Sequence, residues 1–96
     1  MSLTFDFTGR TVLVTGGARG IGRALSEFFA ATGATLAVAD VAAEALAEVT
    51  PDLPGAIPLQ IDVSDSASVA AGIDDVLART GRLDVVVNNA GILRDR

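Results

Sequence analysis

The sequence predicts an α/β fold built on a doubly wound parallel sheet. Three observations predict it: short apolar runs alternate with longer segments of helical periodicity, the best-defined run is apolar on both faces, and each run ends in a small or polar residue. The resulting order β-α-β-α-β-α-β requires right-handed crossovers and places helices on both faces of the sheet. The pattern breaks off after a fourth strand, as expected of a truncated version of this fold.

The first half of the chain contains two predicted strands, each followed by a helix. Thr11–Thr15 is apolar on both faces, as a central parallel strand requires. A helix is predicted from about residue 20 to residue 32, and Gly33 is a typical helix stop. Its apolar positions are Ile21, Leu25, Phe28 and Phe29, and we expect both phenylalanines to lie in the core. Residues 35–39 form the second strand and residues 42–49 a short helix.

The second half repeats this alternation. Residues 50–55 are predicted to be a loop, because two prolines and a glycine cannot continue a helix. Residues 57–61 form the third strand. A helix capped by Ser64 or Asp65 then runs to about residue 79, and residues 83–87 form the fourth strand.

Length and composition limit the classes of protein to which the chain can belong. Ninety-six residues make at most one domain, and half of them are hydrophobic, with a mean hydropathy of +0.50. A chain so short and so apolar either covers its apolar faces by contact with another surface or is part of a longer protein. The net charge of −5 argues against nucleic acid and anionic membranes as partners. No signal peptide or membrane span is evident, which predicts a soluble cytoplasmic protein, and without cysteine or histidine we predict no metal site.

The most informative stretch is Thr15-Gly16-Gly17-Ala18-Arg19-Gly20-Ile21-Gly22, which lies between the first strand and the first helix. Glycines at positions 16, 20 and 22 allow a sharp turn and let a pyrophosphate approach the backbone N–H groups at the helix N-terminus. Asp40 follows 18 residues beyond Gly22, close to the spacing of the acid that binds ribose in dinucleotide sites. A P-loop is excluded because the chain contains no lysine.

Asp40 is the predicted ribose-binding residue, and it favours NAD over NADP. Its carboxylate would repel a 2′-phosphate by up to about 4 kcal/mol at close range. Arg19 favours NADP instead, because a guanidinium in this loop pairs well with a 2′-phosphate. An alternative role for Asp40 is an ordinary cap on the second helix.

Two further strand ends carry polar residues whose roles the sequence alone does not decide. Asp62 follows the third strand and would serve equally well as a cap on the third helix or as a contact to adenine. Asn88 and Asn89 follow the fourth strand. Buried amides must be paired, so these side chains are predicted to bond neighbouring strand ends or the ligand.

Taken together, these motifs resemble the short-chain dehydrogenase/reductase family, whose fold is of the Rossmann type. The glycine motif T-G-x-x-x-G-x-G corresponds to residues 15–22, the acid after the second strand to Asp40, and Asp-Val to Asp62-Val63. The most specific match is G-x-h-D-h-h-h-N-N-A-G at residues 81–91. The resemblance implies that Asp84 braces the sheet and that an NAD(P) cofactor is contacted by Ile21, Asp62, Val63, Asn89, Ala90 and Gly91.

The same resemblance implies an oxidoreductase that moves a hydride between the nicotinamide and a hydroxyl or keto substrate. It also implies that residues 1–96 are the N-terminal, cofactor-binding part of a longer single domain. Residues 91–96 resemble members that act on 3-oxoacyl or 3-hydroxyacyl thioesters. Family catalysis uses a Tyr, a Lys, a Ser and an Asn from later in the chain, and no Tyr or Lys occurs here. We therefore assign no catalytic residue, expect the 96 residues alone to be inactive, and expect the parent enzyme to be a homo-oligomer with a small-molecule substrate.

Two alternatives to the enzyme hypothesis remain open. The chain could be a stand-alone NAD-binding or interaction module without chemistry, or a fragment that folds only by assembling with other copies through its fourth strand. A gene continuing into a Tyr-x-x-x-Lys segment favours the enzyme, and a stop codon after Arg96 favours the module. Light scattering with and without NAD distinguishes an assembling fragment from a monomer.

Overall fold

The computed structural model describes residues 5–89, which form a four-stranded parallel sheet flanked by helices. The strands are β1 (Thr11–Thr15), β2 (Thr35–Asp40), β3 (Ile57–Gln60) and β4 (Val85–Asn88), in the spatial order β3-β2-β1-β4. The helices are α1 (Gly20–Ala31), α2 (Ala43–Val49) and α3 (Ser66–Thr80). This arrangement confirms the predicted α/β class. No helix within the described range is long and apolar enough to cross a membrane.

The strand order brings the carboxyl ends of all four strands to one edge of the sheet. In the parallel register, Thr15 at the end of β1 lies beside Ala39 of β2 and Asn88 of β4. The chain winds outwards from β1 through β2 to β3 and then returns to place β4 on the other side of β1. The direction of winding therefore reverses beside β1, where sheets of this type open a ligand crevice.

The core lies in two layers because β1 and β2 are buried on both faces. On one face, α1 and α2 pack over Val12, Val14 and Val38. On the other face, α3 contributes Val76 to a cluster with Leu13 and other sheet residues. Each layer contains fully buried apolar side chains, whose removal from water is the main stabilising contribution. The uninterrupted burial of β1 confirms its predicted central position.

The structure corrects the sequence prediction at three places. Residues 50–55 are not a simple loop, since Thr50–Asp52 form a 3-10 turn. Pro51 is tolerated there because the first residues of such a turn do not need to donate a backbone N–H, which proline lacks. The fourth strand begins at Val85 rather than at residue 83, because Asp84 is used to bridge to β1. Phe28 is 42% exposed rather than in the core, and it packs edge-on against Phe5 and Phe29.

Asp84 joins the start of β4 to the start of β1. Its carboxylate accepts a hydrogen bond from the backbone N–H of Thr11 at 2.8 Å, and its own N–H donates to the Thr11 carbonyl at 2.9 Å. Arg82 donates from Nε and Nη2 to the two carboxylate oxygens at 2.8 and 2.7 Å. These hydrogen bonds lower the pKa of Asp84 from 3.8 to about 2, with the largest contribution from Arg82 and the next largest from Thr11. Asp84 therefore has the geometry of the sheet brace implied by the family resemblance.

This lowered pKa predicts that Asp84 contributes to acid stability. When the pKa of a carboxyl is lower in the folded than in the unfolded state, the carboxyl stabilises the fold fully at pH values above its unfolded-state pKa. For Asp84 this contribution is lost as the pH falls from about 4 to about 2. Urea unfolding of the wild type and Asp84→Asn across pH 2–5 is expected to show a difference in the free energy of unfolding that shrinks towards low pH. A difference independent of pH would contradict the role of the Asp84 charge.

Candidate functional site

A cleft of about 400 Å³ opens at the carboxyl edge of the sheet. Eight of the nine sequence-predicted contact residues within the described range line it, and Gly22 is the exception. The lining residues are Gly16, Arg19, Gly20, Ile21, Asp40, Val41, Ile61, Asp62, Val63, Ser64 and Asn89. Ala90 and Gly91, which the sequence also predicts as contacts, lie outside the described residues. The fold thus gathers side chains separated by more than 70 positions around one opening.

The glycine loop after β1 is shaped by backbone conformations that side chains disfavour. Gly16 and Gly20 have φ values of +62° and +56°, in the left-handed region. The bend between them is fixed by a hydrogen bond from Gly17 N–H to the Ala39 carbonyl at 2.9 Å. The buried hydroxyl of Ser26 donates to the Gly17 carbonyl at 3.0 Å. A methyl group at Gly20 would contact nothing within 4 Å, so this glycine borders open space in the cleft.

Helix α1 begins in this cleft without a side-chain cap. Its N-cap residue, Arg19, is extended and its side chain makes no capping hydrogen bond, and the first turn of α1 contains no acidic residue. In α3, by contrast, the Asp65 carboxylate accepts from Ala67 N–H and Ser68 N–H. The first N–H groups of α1 and the positive end of its dipole are therefore available to an anion in the cleft. The residues present fit a pyrophosphate group.

Gly22 has a packing role that lets α1 approach the glycine loop. A Cβ atom at this position would overlap the Gly16 carbonyl and lie 2.6 Å from Nδ2 of Asn89. Asn89 in turn donates from Nδ2 to the Gly16 carbonyl at 3.2 Å. Gly22 thus allows the helix, the loop and the end of β4 to meet without lining the cleft itself.

Asp40 presents a buried carboxylate to the cleft at the end of β2. Its side chain is 3% exposed and accepts hydrogen bonds from Arg19 Nη2 at 3.1 Å, from Ala42 N–H at 3.1 Å and from Ala18 N–H at 3.4 Å. The N-cap of α2 is Ala42 rather than Asp40, so the alternative role of a cap on that helix is wrong. Asp40 instead joins the glycine loop to the start of the β2–α2 connection.

Asp62 occupies the rim of the cleft and does not cap α3, since Asp65 takes that place. The Asp62 carboxylate accepts from the hydroxyl and the N–H of Ser64 at 2.6 and 3.0 Å. These two hydrogen bonds lower the pKa of Asp62 from its ordinary value, and the bond from the Ser64 hydroxyl contributes more than the bond from the Ser64 N–H. An exposed carboxylate beside exposed Val63 combines a hydrogen-bond acceptor with an apolar surface, as suits a heterocyclic base with amino groups.

The two asparagines at the end of β4, Asn88 within the strand and Asn89 directly after it, bond neighbouring strand ends, as predicted, but only Asn89 is buried. Asn89 is buried and bonds to the Gly16 carbonyl, and its N–H donates to Thr15 Oγ1 at 3.0 Å. Asn88 is exposed, and its Oδ1 accepts from Thr15 Oγ1 at 3.3 Å. The Thr15 hydroxyl therefore connects the ends of β1 and β4 and fixes Asn89 at the cleft.

Sequence comparison places this chain in a known family. The family model described as short chain dehydrogenase matches residues 10–96, which is most of the chain. The chain belongs to the short-chain dehydrogenase family. Solved short-chain dehydrogenases share its fold: one from Bacillus anthracis superposes with a TM-score of 0.84 at 28% identity, covering 88% of this chain and 36% of that chain. One from Brucella melitensis, titled a glucose/ribitol dehydrogenase, has a TM-score of 0.83 at 30% identity, with coverages of 88% and 37%.

The curated relatives that match are named for several different activities. Sorbitol dehydrogenase of Cereibacter sphaeroides is 41% identical over 88% of this chain and 33% of its own length. The 3-oxoacyl-(acyl-carrier-protein) reductase FabG of Escherichia coli is 41% identical over 94% of this chain and 37% of its own. This chain therefore spans about one third of the length of the relatives it matches.

Sequence reasoning missed several residues that build the cleft. Val41, Ile61 and Ser64 line it directly, and Ser26 supports the glycine loop from within α1. Val41, Ile61 and Ser64 are each adjacent in sequence to a predicted contact, so a rule extending every predicted contact by one residue would have found them. Ser26 carries no such signal, because a serine within a helical pattern is usually solvated.

Proposed function

We propose that this chain is the dinucleotide-binding portion of an oxidoreductase that transfers a hydride between NAD(H) and a hydroxyl or keto substrate. One observation carries the proposal: the glycine bend, the uncapped start of α1 and the buried carboxylate of Asp40 converge on a single cleft. Membership of the short-chain dehydrogenase family supports it independently. In this proposal the protein supplies binding and orientation, while the nicotinamide, when bound, supplies the hydride chemistry.

Each part of the cleft has a proposed role. Gly16, Arg19, Gly20 and Ile21 hold the pyrophosphate at the start of α1, where backbone N–H groups are available. Asp40 accepts hydrogen bonds from the ribose hydroxyls.

The remaining cofactor contacts lie along the other strand ends. Asp62 and Val63 border the adenine, and Asn89 is proposed to contact the cofactor beside β1, together with Ala90 and Gly91. Gly22 acts indirectly by keeping α1 close to the loop.

We propose NAD rather than NADP as the cofactor. The buried Asp40 carboxylate would face a 2′-phosphate at close range, and two like charges repel strongly in a partly desolvated cleft. Arg19 already forms an ion pair with Asp40 at 3.1 Å, so the guanidinium charge that would attract a 2′-phosphate is partly compensated within the protein. The repulsion by Asp40 and the engagement of Arg19 both support NAD selectivity.

For the substrate we propose the chemical class of the carbon that reacts. Relatives named for polyol substrates include sorbitol dehydrogenase and D-threitol dehydrogenase, and others are 3-oxoacyl reductases. Both groups interconvert a carbinol and a ketone. We therefore propose such a carbon as the substrate centre, with a 3-oxoacyl thioester as the specific candidate from residues 91–96. A cytoplasmic homo-oligomeric parent enzyme is proposed on the family resemblance alone.

The phosphate part of the proposal is tested by Gly20→Ala. The added methyl contacts no protein atom within 4 Å but projects at the cleft, so it is expected to weaken NAD binding at least tenfold. Gly55→Ala is the matched control, because Gly55 also has a positive φ of +84°, also has open space around it, and does not line the cleft. Both variants carry the same kind of backbone strain.

Isothermal titration of NAD and NADP into the wild type and both variants provides the measurement. The proposal predicts saturable NAD binding to the wild type and Gly55→Ala, weaker NADP binding, and loss of NAD binding in Gly20→Ala. We also expect no NADH-dependent ketone reduction by the 96 residues, because no Tyr or Lys is present to relay a proton. No NAD binding by the wild type, or equal losses in both variants, would overturn the phosphate assignment.

A further inference from the structure

Arg19 competes for the carboxylate that is proposed to hold the ribose. Its Nη2 donates to Oδ1 of Asp40 at 3.1 Å, and both residues line the cleft. The Arg19 side chain is 63% exposed whereas that of Asp40 is 3% exposed. The contact therefore joins a solvent-exposed, rotatable cation to a carboxylate that the fold holds in place.

The other donors to Asp40 are fixed by the backbone. Ala42 N–H donates to Oδ1 at 3.1 Å and Ala18 N–H to Oδ2 at 3.4 Å. With Arg19 in place, Oδ1 accepts two hydrogen bonds and Oδ2 accepts one. A carboxylate offers about four lone-pair positions, so a ribose diol that uses both oxygens meets Arg19 at Oδ1. Arg19 is the one donor of these three that can leave without movement of the main chain.

We propose that the Arg19–Asp40 ion pair is a latch over the ribose subsite, which must open for the vicinal diol of a nucleoside to bind. This inference rests on the proposed function and goes beyond it by making Arg19 an inhibitory residue towards ribose. Because the Arg19 side chain is largely exposed, breaking its contact with Asp40 costs about as much as breaking a surface ion pair, and the latch lowers affinity for a diol by about two- to fivefold. Its effect depends on the ligand's hydroxyls and not on its phosphates.

This dependence separates the latch from the role of Arg19 as a phosphate contact. Adenosine carries the ribose diol but no phosphate, and 2′,3′-dideoxyadenosine lacks both hydroxyls. A latch residue opposes adenosine, while a phosphate-binding residue leaves adenosine unaffected. NAD carries both features, so its affinity alone does not separate the two roles.

The test compares Arg19→Ala with the wild type. Because the Arg19 side chain makes no capping hydrogen bond, alanine at this position removes no cap from α1. Arg79→Ala is the matched control: Arg79 forms an exposed ion pair with Asp75 on α3 and does not line the cleft. Binding of both nucleosides is followed by backbone amide chemical shifts, and NAD binding by calorimetry.

The latch predicts that Arg19→Ala binds adenosine about two- to fivefold more tightly than the wild type, with dideoxyadenosine and Arg79→Ala unchanged. It also predicts that saturating adenosine, which has no phosphate for Arg19 to contact, shifts the Nη2–H resonance of Arg19 towards that of a solvated arginine. An unchanged or weaker adenosine affinity in Arg19→Ala, or an unmoved Arg19 resonance at saturation, overturns the latch while NAD binding leaves the proposed function intact. Failure of the wild type to bind NAD overturns both.

Discussion

Replacing Asp40 with alanine is expected to lower the affinity for NAD by about 10- to 100-fold. Hydrogen bonds to a charged group contribute about 1.5–3 kcal/mol, and the buried Asp40 carboxylate is the proposed acceptor for the ribose hydroxyls. The affinity for NADP is expected to fall much less or to rise, because the like charge opposing its 2′-phosphate is removed. Arg19, released from its 3.1 Å ion pair, then becomes available to that phosphate. The ratio of NAD to NADP affinity should therefore decrease sharply.

The control must separate this effect from damage to the glycine loop. Asp40 also accepts hydrogen bonds from Ala18 and Ala42, so Asp40→Asn is included, since it keeps one acceptor oxygen while losing the charge. Asp52→Ala removes another aspartate paired with an arginine, at 2.6 Å from Arg23, in a turn that does not line the cleft. The affinities come from calorimetry with each nucleotide. A NAD to NADP ratio that is unchanged in both Asp40 variants would show that the ribose assignment is wrong.

Much of the fold was predictable because it depends on patterns local in sequence. The strands, the helices and the helix stop at Gly33, which has a positive φ of +87°, follow from apolar periodicity and stop signals, and the structure places most boundaries within one or two residues of the prediction. The cleft was predictable too, because parallel strands bring their carboxyl ends to a common edge. Gly16, Asp40 and Asn89 meet there for that reason.

Side-chain partners were less predictable, since they depend on orientation rather than on spacing. Asp62 and Asp65 are both near the start of α3, and only the turn geometry determines that Asp65 caps the helix while Asp62 bonds to Ser64. The pairing of Arg19 with Asp40 joins residues 21 positions apart and depends on the rotamer of a long side chain. Sequence reasoning placed both residues in the site but not in contact with each other.

Exposure was the other property that local patterns did not determine. Phe28 and Ile21 fit the apolar spacing of α1, yet Phe28 is 42% exposed and Ile21 is 64% exposed. Ile21 lies in the first turn, where the helix enters the cleft rather than packing on the sheet. Helical periodicity identifies a face, but the extent of the opposing surface determines how much of that face is buried.

Gly22→Ala is expected to destabilise the fold and to weaken nucleotide binding together. The added Cβ would overlap the backbone carbonyl of Gly16, which cannot rotate away, and would lie 2.6 Å from Asn89 Nδ2. Overpacking of this kind costs about 1–3 kcal/mol, which exceeds the roughly 1 kcal/mol that alanine gains over glycine in a helix. Each kcal/mol lost lowers Tm by about 4–8 °C in a domain of this size. Because α1 must move away from the loop, its N–H groups are displaced from the pyrophosphate position.

Gly72→Ala in α3 provides the comparison that isolates the backbone clash. A Cβ at Gly72 would meet only the Ile61 side chain, with Cγ1 at 2.7 Å, and side-chain rotation can relieve such a contact. Both variants gain the same helix propensity, so the difference between their Tm values measures the effect of crowding against rigid backbone. Thermal unfolding of the two variants and NAD titration of Gly22→Ala against the wild type provide the measurements. If Gly22→Ala were as stable as Gly72→Ala and bound NAD normally, the close approach of α1 to the Gly16 carbonyl would not be what holds the phosphate site in shape.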